Sequence, residues 1–296
     1  MNDTGHPWSP GEDGLPTRPA NSWARYKLDI VACYVPAFVR ACKKAPSVQL
    51  VDAFAGPGVN RFDDDGELRV GTTLIALSAD PSPTRVLAVD NNRATVDALA
   101  RRCEPYGGRA VVRQADANRD LVPLMREFLQ PRAPTLCLFD PEGTELAFTT
   151  LQAVSQWGQG KTKPELLVLL ATHTGWTRML SADLREWAVD KMDRLYGTDA
   201  WQRIHRRRYD DVIDTDRATT EYVQLYCAQL EQELGYAHTA AREIRASGRY
   251  GQLGYFLVFA SDHPAGYEIM RFCFDEQFGE EIEPPLFRHH RSRLDE

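Results

Sequence analysis

The sequence lacks several features that define common protein classes. Its six cysteines form no CxxC pair, which excludes the ligand spacing of zinc ribbons and iron–sulfur sites. No apolar run approaches the roughly 18 residues that a membrane-spanning helix requires. Acidic residues outnumber basic ones, 42 against 35, so the net charge is -7. A surface that is basic throughout and binds nucleic acid non-specifically is therefore excluded, although local basic patches are not.

The composition is typical of a soluble globular protein. Hydrophobic residues make up 43% of the 296 positions, enough for one large domain, or one domain with an appendage, around a sizeable core. The first residues carry neither the basic region nor the apolar region of a secretory signal, so we expect a cytoplasmic protein. In that reducing compartment, Cys33, Cys137 and Cys227 are expected to act as small buried hydrophobic residues.

Strands and helices alternate along the first two thirds of the chain. Residues 1–21, rich in proline and glycine, are predicted to form a flexible leader, followed by an amphipathic helix over 22–44. The predicted strands are 48–54, 84–90, 109–115, 135–140 and 165–171, with helices between them from 71, 93, 121 and 149. Because these strands are apolar without alternation, they predict a parallel sheet that is covered on both faces.

The last third of the chain departs from this alternation. Residues 176–234 are predicted to be a helical insertion, with His205-Arg-Arg-Arg208 between its helices as a solvated surface. Two late strands, 237–244 and 254–260, are close enough in sequence to pair antiparallel. The expected fold is α/β and Rossmann-like, with a mostly parallel seven-stranded sheet and an antiparallel last strand. It occupies 22–280, and 281–296 form a tail.

Acidic residues fall at the strand ends where α/β sheets bind ligands. Asp52 lies within the first strand, whereas Asp90, Asp116 and Asp140 end the next three. Parallel strands place their carboxyl ends at one crevice, where such carboxylates repel one another unless a ligand offers donors. Ribose hydroxyls, an adenine amine and an amino-acid ammonium are donors of that kind.

A glycine turn follows the first strand, at Gly56-Pro57-Gly58, and lets a ligand approach the backbone. It matches neither the dinucleotide fingerprint G-x-G-x-x-G nor the P-loop, and it carries no Lys or Arg to balance a pyrophosphate. A phosphate-free ligand is therefore favoured over a nicotinamide cofactor. S-adenosylmethionine is such a ligand, and its sulfonium cation suits an acidic pocket.

These residues carry a family resemblance. Val51-Asp-Ala-Phe-Ala-Gly-Pro-Gly58 resembles the D-x-F-A-G-x-G motif of class I methyltransferases. The chain is more narrowly similar to the three-Cys-motif partner (TcmP) family, through matches between Lys27 and about Gly266 that include Gly71-Thr72, Asp140-Pro-Glu-Gly143, Arg178 and Tyr255-Phe-Leu-Val-Phe-Ala-Ser261. The resemblance implies a methyltransferase fold and a radical-SAM-like partner with a three-cysteine motif.

The resemblance also implies a cofactor site for S-adenosylmethionine. Its residues are Asp52, Phe54, Ala55, Gly56, Pro57, Gly58, Asp90, Asn91, Asp116, Ala117, Asp140 and Pro141. Gly56 and Gly58 are expected to face the methionine part and the ribose, Asp90 to bind the ribose hydroxyls and Asp116 to accept from the adenine amine. Asp140 and Pro141 are placed beside the methyl donor, Asp52 near the ammonium and Lys27 near the carboxylate.

Two features depart from the methyltransferase pattern. Asp90 follows Gly58 by 32 positions rather than the roughly 20 expected, and the polar segment 60–70 accounts for the excess as a lid, a substrate loop or a tolerated insertion. Glu142 and Gly143 stand where methyltransferases of nucleobase amines carry a second proline and a base-stacking aromatic residue. Glu142 could serve as a general base, hold a cationic substrate, or be a solvated loop acid.

The remaining candidates concern the substrate. His173 could accept a proton, so Asp140, Glu142 and His173 form the candidate catalytic set. Arg61 and Arg178 are expected to bind substrate, and no metal site is predicted. The sequence therefore predicts a methyltransferase acting on a small molecule or a nucleic acid. The alternative is a non-catalytic cofactor-binding partner of the radical-SAM-like protein.

Overall fold

A computed structural model describes residues 11–158, 163–171, 180–181, 183–248 and 251–278. The strands are β1 (Arg18–Ala20), β2 (Gln49–Asp52), β3 (Val59–Phe62), β4 (Leu68–Val70), β5 (Arg85–Asp90), β6 (Ala110–Gln114), β7 (Thr135–Phe139), β8 (Glu165–Leu170), β9 (His238–Gly248) and β10 (Gly251–Ser261). The helices are α1 (Ala24–Ala41), α2 (Thr72–Ser78), α3 (Arg93–Cys103), α4 (Ala117–Phe128), α5 (Phe148–Ser155), α6 (Glu186–Tyr196), α7 (Trp201–Tyr209), α8 (Thr215–Gln232) and α9 (Pro264–Phe278).

Seven strands form the central sheet in the order β6-β5-β2-β7-β8-β10-β9. The first five pair in parallel, and β10 runs antiparallel to both β8 and β9. Every residue of β7 and β8 is buried, as expected for strands covered on both faces. The predicted Rossmann-like α/β fold, with its mostly parallel sheet and antiparallel last strand, is confirmed.

Helices cover the two faces of this sheet with separate hydrophobic cores. Ile30 of α1, Leu74 of α2 and Met270 of α9 belong to one core. Leu121 of α4 and Tyr226 of α8 belong to the other, together with buried residues of α5, α6 and α7. The helical insertion therefore packs on the α4–α5 side of the sheet. The final helix, α9, was absent from the sequence-based description.

The basic run His205 to Arg208 lies between α6 and α8 as expected, but it forms part of a further helix, α7, that was not predicted. Trp201, Ile204 and His205 are buried, which gives α7 an apolar face at helical spacing. The imidazole of His205 hydrogen-bonds the carbonyl of Ser181 at 3.0 Å. Arg207 forms an ion pair with Glu221 of α8 at 2.5 Å. The run of basic residues indicated a solvated surface, but it belongs to a helix that is buried on one face.

Part of the predicted flexible leader is folded. Residues Arg18–Ala20 form β1, which pairs in parallel with β3, and β3 pairs with β4, so that a small three-stranded sheet results. The guanidinium of Arg102 holds residues 11–17 by donating to the carbonyls of Leu15 and Pro16. A flexible leader over residues 11–21 is therefore wrong, because pairing with distant residues orders the segment.

The polar segment 60–70 is the hairpin that supports β1. Arg25 of α1 lies 4.0 Å above the ring of Phe62 and pairs with the carboxylates of Asp64, Asp65 and Glu67 at 2.6–3.0 Å. The three acidic side chains thus balance the charge of Arg25 and join the small sheet to α1.

A disulfide joins α1 to α9. Cys33 pairs with Cys273 across a sequence separation of 240, with a Cα–Cα distance of 5.9 Å. The expectation that Cys33 is an unpaired core residue is therefore wrong, whereas Cys137 and Cys227 are free and buried as expected. No helix in the described part of the chain is both long and apolar enough to cross a bilayer.

Candidate functional site

A cleft of about 740 Å³ opens at the carboxyl ends of β2, β5, β6 and β7. Its walls are the loops that follow these strands, the first turns of α3 and α4, strand β1 and the inner side of α6. The lining residues include Arg18, Phe54, Gly56, Asp90, Asn91, Asp116, Ala117, Asp140, Glu142, Lys191 and Arg194. Three of the four predicted strand-end carboxylates therefore share one cleft.

Asp90 is held by backbone donors on both of its oxygens. Its Oδ2 accepts from the amide of Gly56 at 3.0 Å, and its Oδ1 accepts from the amide of Asn92 at 2.9 Å. These bonds fix the carboxylate between the glycine turn and the start of α3. Since a carboxylate has about four acceptor positions, Asp90 keeps acceptor capacity for a ligand in the cleft.

The glycine turn requires glycine for two different reasons. Gly56 and Gly58 have φ values of 63° and 86°, in the region that side chains disfavour. A Cβ on Gly58 would lie 2.7 Å from Leu99 and 3.2 Å from Leu74, inside the core. A Cβ on Gly56 would meet only Arg18, at 3.8 Å. Gly58 therefore lets the turn pack on α2 and α3, whereas Gly56 faces the cleft.

We expect Gly58→Ala to lower the free energy of unfolding by about 3 kcal/mol, because it combines backbone strain with overpacking. Gly56→Ala should cost about 1 kcal/mol, since it adds only the strain. Urea unfolding of the two variants beside the parent protein measures the difference. Equal losses in both variants would contradict this assignment of the two glycines.

Asp116 begins α4 and caps it. Its Oδ1 accepts from the amides of Asn118 at 2.8 Å and Arg119 at 3.3 Å. Within the described residues, no hydrogen bond uses its Oδ2, so one oxygen remains for a ligand. The cap and the predicted contact with an adenine amine are compatible, because they use different oxygens.

Asn118 is a site residue that the sequence did not reveal. Its side chain donates to the carbonyl of Glu145 and accepts from the amide of Ala147 and the hydroxyl of Thr150, each at 2.8 Å. These bonds tie the start of α4 to the loop after β7. Asn118 thus fixes two walls of the cleft relative to each other.

Two cationic side chains contact Asp140, the residue that follows β7. Lys27 of α1 bonds its Oδ2, and Arg18 of β1 lies 3.5 Å from the same oxygen. Arg18 also reaches Glu142 at 3.4 Å. The side chain of Asp140 is 15% exposed and that of Glu142 is 77% exposed. Arg18 was missed as a site residue because its segment was interpreted as a flexible leader.

Asp52 lies apart from the cleft. It is completely buried, and its Oδ2 accepts from the hydroxyls of Thr72 and Thr73 at the start of α2. Its Oδ1 is buried without a hydrogen-bond partner in the described structure. Burial raises the pKa of this carboxyl, although the two hydroxyl bonds and Lys27 oppose the shift. Asp52 can therefore act on a ligand in the cleft only through its neighbours.

The other predicted site residues fall in three groups. Ala55, Pro57 and Gly58 line a small recess beside the cleft, together with Arg18, Lys27 and Asp140. Pro141 and Arg61 line neither space; Arg61 lies in β3, opposite Pro19 of β1. His173 and Arg178 lie outside the described residues.

Comparisons with known proteins show no family for this chain. No protein-family model matches the chain, and no curated protein matches it. An O-methyltransferase from Bacillus cereus, solved in complex with S-adenosylhomocysteine (SAH), is similar over 80% of each chain, at 10% identity and a TM-score of 0.40. Magnesium protoporphyrin IX methyltransferase from Synechocystis PCC 6803, solved with bound S-adenosylmethionine, is similar over 80% of each chain, at 12% identity and a TM-score of 0.38.

A third solved structure, protein LPL1258 from Legionella pneumophila, has a TM-score of 0.48 at 9% identity, covering 84% of this chain and 90% of that one. Likeness at this level carries no argument about activity, and membership of the three-Cys-motif partner family is not shown.

Proposed function

We propose that the protein is a methyltransferase that uses S-adenosylmethionine. The observation that carries the proposal is the Asp90 carboxylate, fixed by the amides of Gly56 and Asn92 and still able to accept from a ligand. This arrangement suits the paired hydroxyls of a ribose. The volume of the cleft is also within the range of cofactor sites.

The residues around Asp90 complement the other parts of that cofactor. The open oxygen of Asp116 would accept from the adenine amine, beside Asn91 and Ala117. The cationic side chains of Arg18 and Lys27 lie in the recess beside the glycine turn, where they would pair with the carboxylate of the methionine part. Carboxylates at one end and cations at the other match a zwitterionic, phosphate-free ligand.

The cofactor would supply an electrophilic methyl group, and the chain would position the acceptor atom of the substrate in line with it. Glu142 would take up the proton that the acceptor releases, because its side chain is exposed at the mouth of the cleft. Asp140 would contribute charge rather than proton transfer, since Lys27 and Arg18 both contact its Oδ2.

Lys191 and Arg194 of α6 bring positive charge to the same cleft. They would attract an anionic group of the substrate, whether it belongs to a small molecule or to a nucleic acid. The helical insertion would then provide substrate selection, a role for which Arg61 is poorly placed.

A second candidate is a non-catalytic cofactor-binding protein that supports a three-Cys-motif, radical-SAM-like partner. The observation in its favour is Arg18, which contacts both Asp140 and Glu142 and so neutralises the carboxylates proposed for catalysis. The radical-SAM-like partner is the part of this candidate that the resemblance to the three-Cys-motif partner family implies.

Transfer of a labelled methyl group separates the two candidates. The full chain would be incubated with methyl-labelled S-adenosylmethionine and either the metabolite, RNA or protein fraction of a cell extract. We expect label in one fraction, and a fall of 100-fold or more with Glu142→Gln at unchanged cofactor affinity. Glu127→Gln, an exposed acid on α4, is the matched control. Cofactor binding with no transfer in any fraction supports the non-catalytic protein, and no binding contradicts both candidates.

A further inference from the structure

A second cavity lies at the amino ends of β7 and β8, whereas the cleft lies at the carboxyl ends of the parallel strands. Its volume is about 180 Å³, close to that of a cavity that holds one benzene ring. The walls come from the end of α1, the first turns of α9, the starts of β7 and β8, and the end of β10. No residue of this cavity belongs to the proposed cofactor site.

Glu165, the first residue of β8, places a buried carboxyl in this cavity. It is 8% exposed. Its Oε2 accepts from the hydroxyl of Tyr34 at 2.6 Å, and its Oε1 accepts from the hydroxyl of Ser261 at 2.8 Å. Within the described residues, no cation lies at ion-pair distance from it. Lys163 pairs instead with Asp262, at 3.1 Å. A carboxylate without a counter-ion is costly to bury.

The remaining walls are mainly apolar and are held in place. Phe38 and Ile269 present hydrophobic surface, and the ring of Tyr34 lies beside them. The disulfide between Cys33 and Cys273 joins the two helices that form these walls, which limits their separation. The site is therefore pre-organised, so that a ligand loses little free energy in ordering it.

We propose that this cavity binds a small organic ammonium ion, with its charged group on Glu165 and its hydrocarbon part between α1 and α9. The ammonium would supply the counter-charge that the carboxylate lacks, and the hydrocarbon part would pack on Phe38 and Ile269. This binding site is distinct from the cofactor cleft and is independent of the proposed methyl transfer.

The affinity should depend on pH because Glu165 must be ionised to hold a cation. Burial raises the pKa of Glu165 to about 7, against hydrogen bonds from Tyr34 and Ser261 that lower it. The other titratable or charged groups of the cavity are Cys42 on α1, Lys163 before β8, and Asp262 and His263 after β10. Affinity for an ammonium ion should rise about tenfold from pH 6 to pH 8.

Calorimetric titration of the full chain with benzylammonium chloride tests the proposal. We expect binding of benzylammonium, at least tenfold weaker binding of benzyl alcohol, and no binding of benzoate. Glu165→Gln should weaken benzylammonium binding at least tenfold. Glu268→Gln, an exposed acid on α9 outside the cavity, should leave it unchanged. Equal affinities for the ammonium ion and the alcohol, or an unchanged affinity in Glu165→Gln, would overturn the proposal.

Cys42 provides a second readout that needs no change to Glu165. It lines the cavity and is partly exposed, whereas the other free cysteines are buried. Benzylammonium should slow the alkylation of Cys42 by iodoacetamide, as measured by mass spectrometry, and Cys42→Phe should block benzylammonium binding. If alkylation proceeds at the same rate with saturating benzylammonium, the ligand binds elsewhere and the proposal is wrong.

Discussion

Replacing Asp90 with alanine is expected to weaken the binding of SAH at least 100-fold. The variant removes the proposed acceptor for the ribose hydroxyls, and charge-assisted hydrogen bonds of this kind contribute about 1.5–3 kcal/mol each. It also leaves the amides of Gly56 and Asn92 without their acceptor, which loosens the glycine turn. Both effects should weaken SAH binding. The loss of SAH affinity measured by calorimetry should therefore be larger than that for any other single substitution in the cleft.

The control for this experiment is Asp97→Ala on α3, the helix that follows Asp90 in the chain. Asp97 is exposed and pairs with Arg93 at 3.0 Å, so its loss removes a carboxylate without touching the cleft. Its affinity for SAH should stay within about twofold of the parent. Thermal unfolding of Asp90→Ala must show that the protein is still folded at the temperature of the titration. If Asp90→Ala binds SAH as tightly as the parent protein, Asp90 is not part of the cofactor site.

Arg102→Ala is expected to have the second largest effect, on stability and on the cleft together. The guanidinium donates to the carbonyls of Leu15, Pro16 and Pro57 at 2.6–3.2 Å and pairs with Asp13 at 2.7 Å, while its side chain is only 5% exposed. Its loss leaves several acceptors without a donor, which should lower the free energy of unfolding by about 3 kcal/mol.

The same substitution should release the N-terminal segment and the arginine that it carries. Arg18 would no longer be held beside the glycine turn. SAH should then bind about tenfold more weakly, because the loss of one partly buried ion pair costs about 1.4 kcal/mol of binding free energy. Limited trypsin digestion should cut after Arg25 earlier than in the parent. Arg101→Ala, an exposed neighbour on α3, is the control, and a digestion pattern shared by both variants would contradict the role of Arg102.

The parallel sheet could be predicted from the sequence because its signals are local. Strands such as β7 and β8 are apolar runs of five or six residues, and each is followed by a helical pattern. Once the strands are parallel, their carboxyl ends must meet, which brings Asp90, Asp116 and Asp140 together. The same reasoning placed Asp52 at the cleft, but a residue inside the strand can point away from the edge, and the hydroxyls of α2 bind it there.

The parts that could not be predicted depend on contacts between distant residues. Arg102 reaches Asp13 across 89 positions, and β1 pairs with β3 about 40 positions later. Proline and glycine in the leader indicate flexibility when only the local sequence is considered. The disulfide could not be predicted for the same reason. Nothing in the spacing of Cys33 and Cys273 indicates that α1 and α9 are neighbours. The cavity at Glu165 likewise depends on α1 and α9 lying side by side.

The most direct measurement of the central claim is a crystal structure of the full chain grown with SAH. We expect the ribose at Asp90, the adenine beside Asp116 and the methionine carboxylate facing Arg18 and Lys27. The distance from the sulfur to Glu142 would then show where the methyl acceptor binds. A cleft without ligand at saturating SAH, or SAH bound away from Asp90, would contradict the proposal that this protein is an S-adenosylmethionine-dependent methyltransferase.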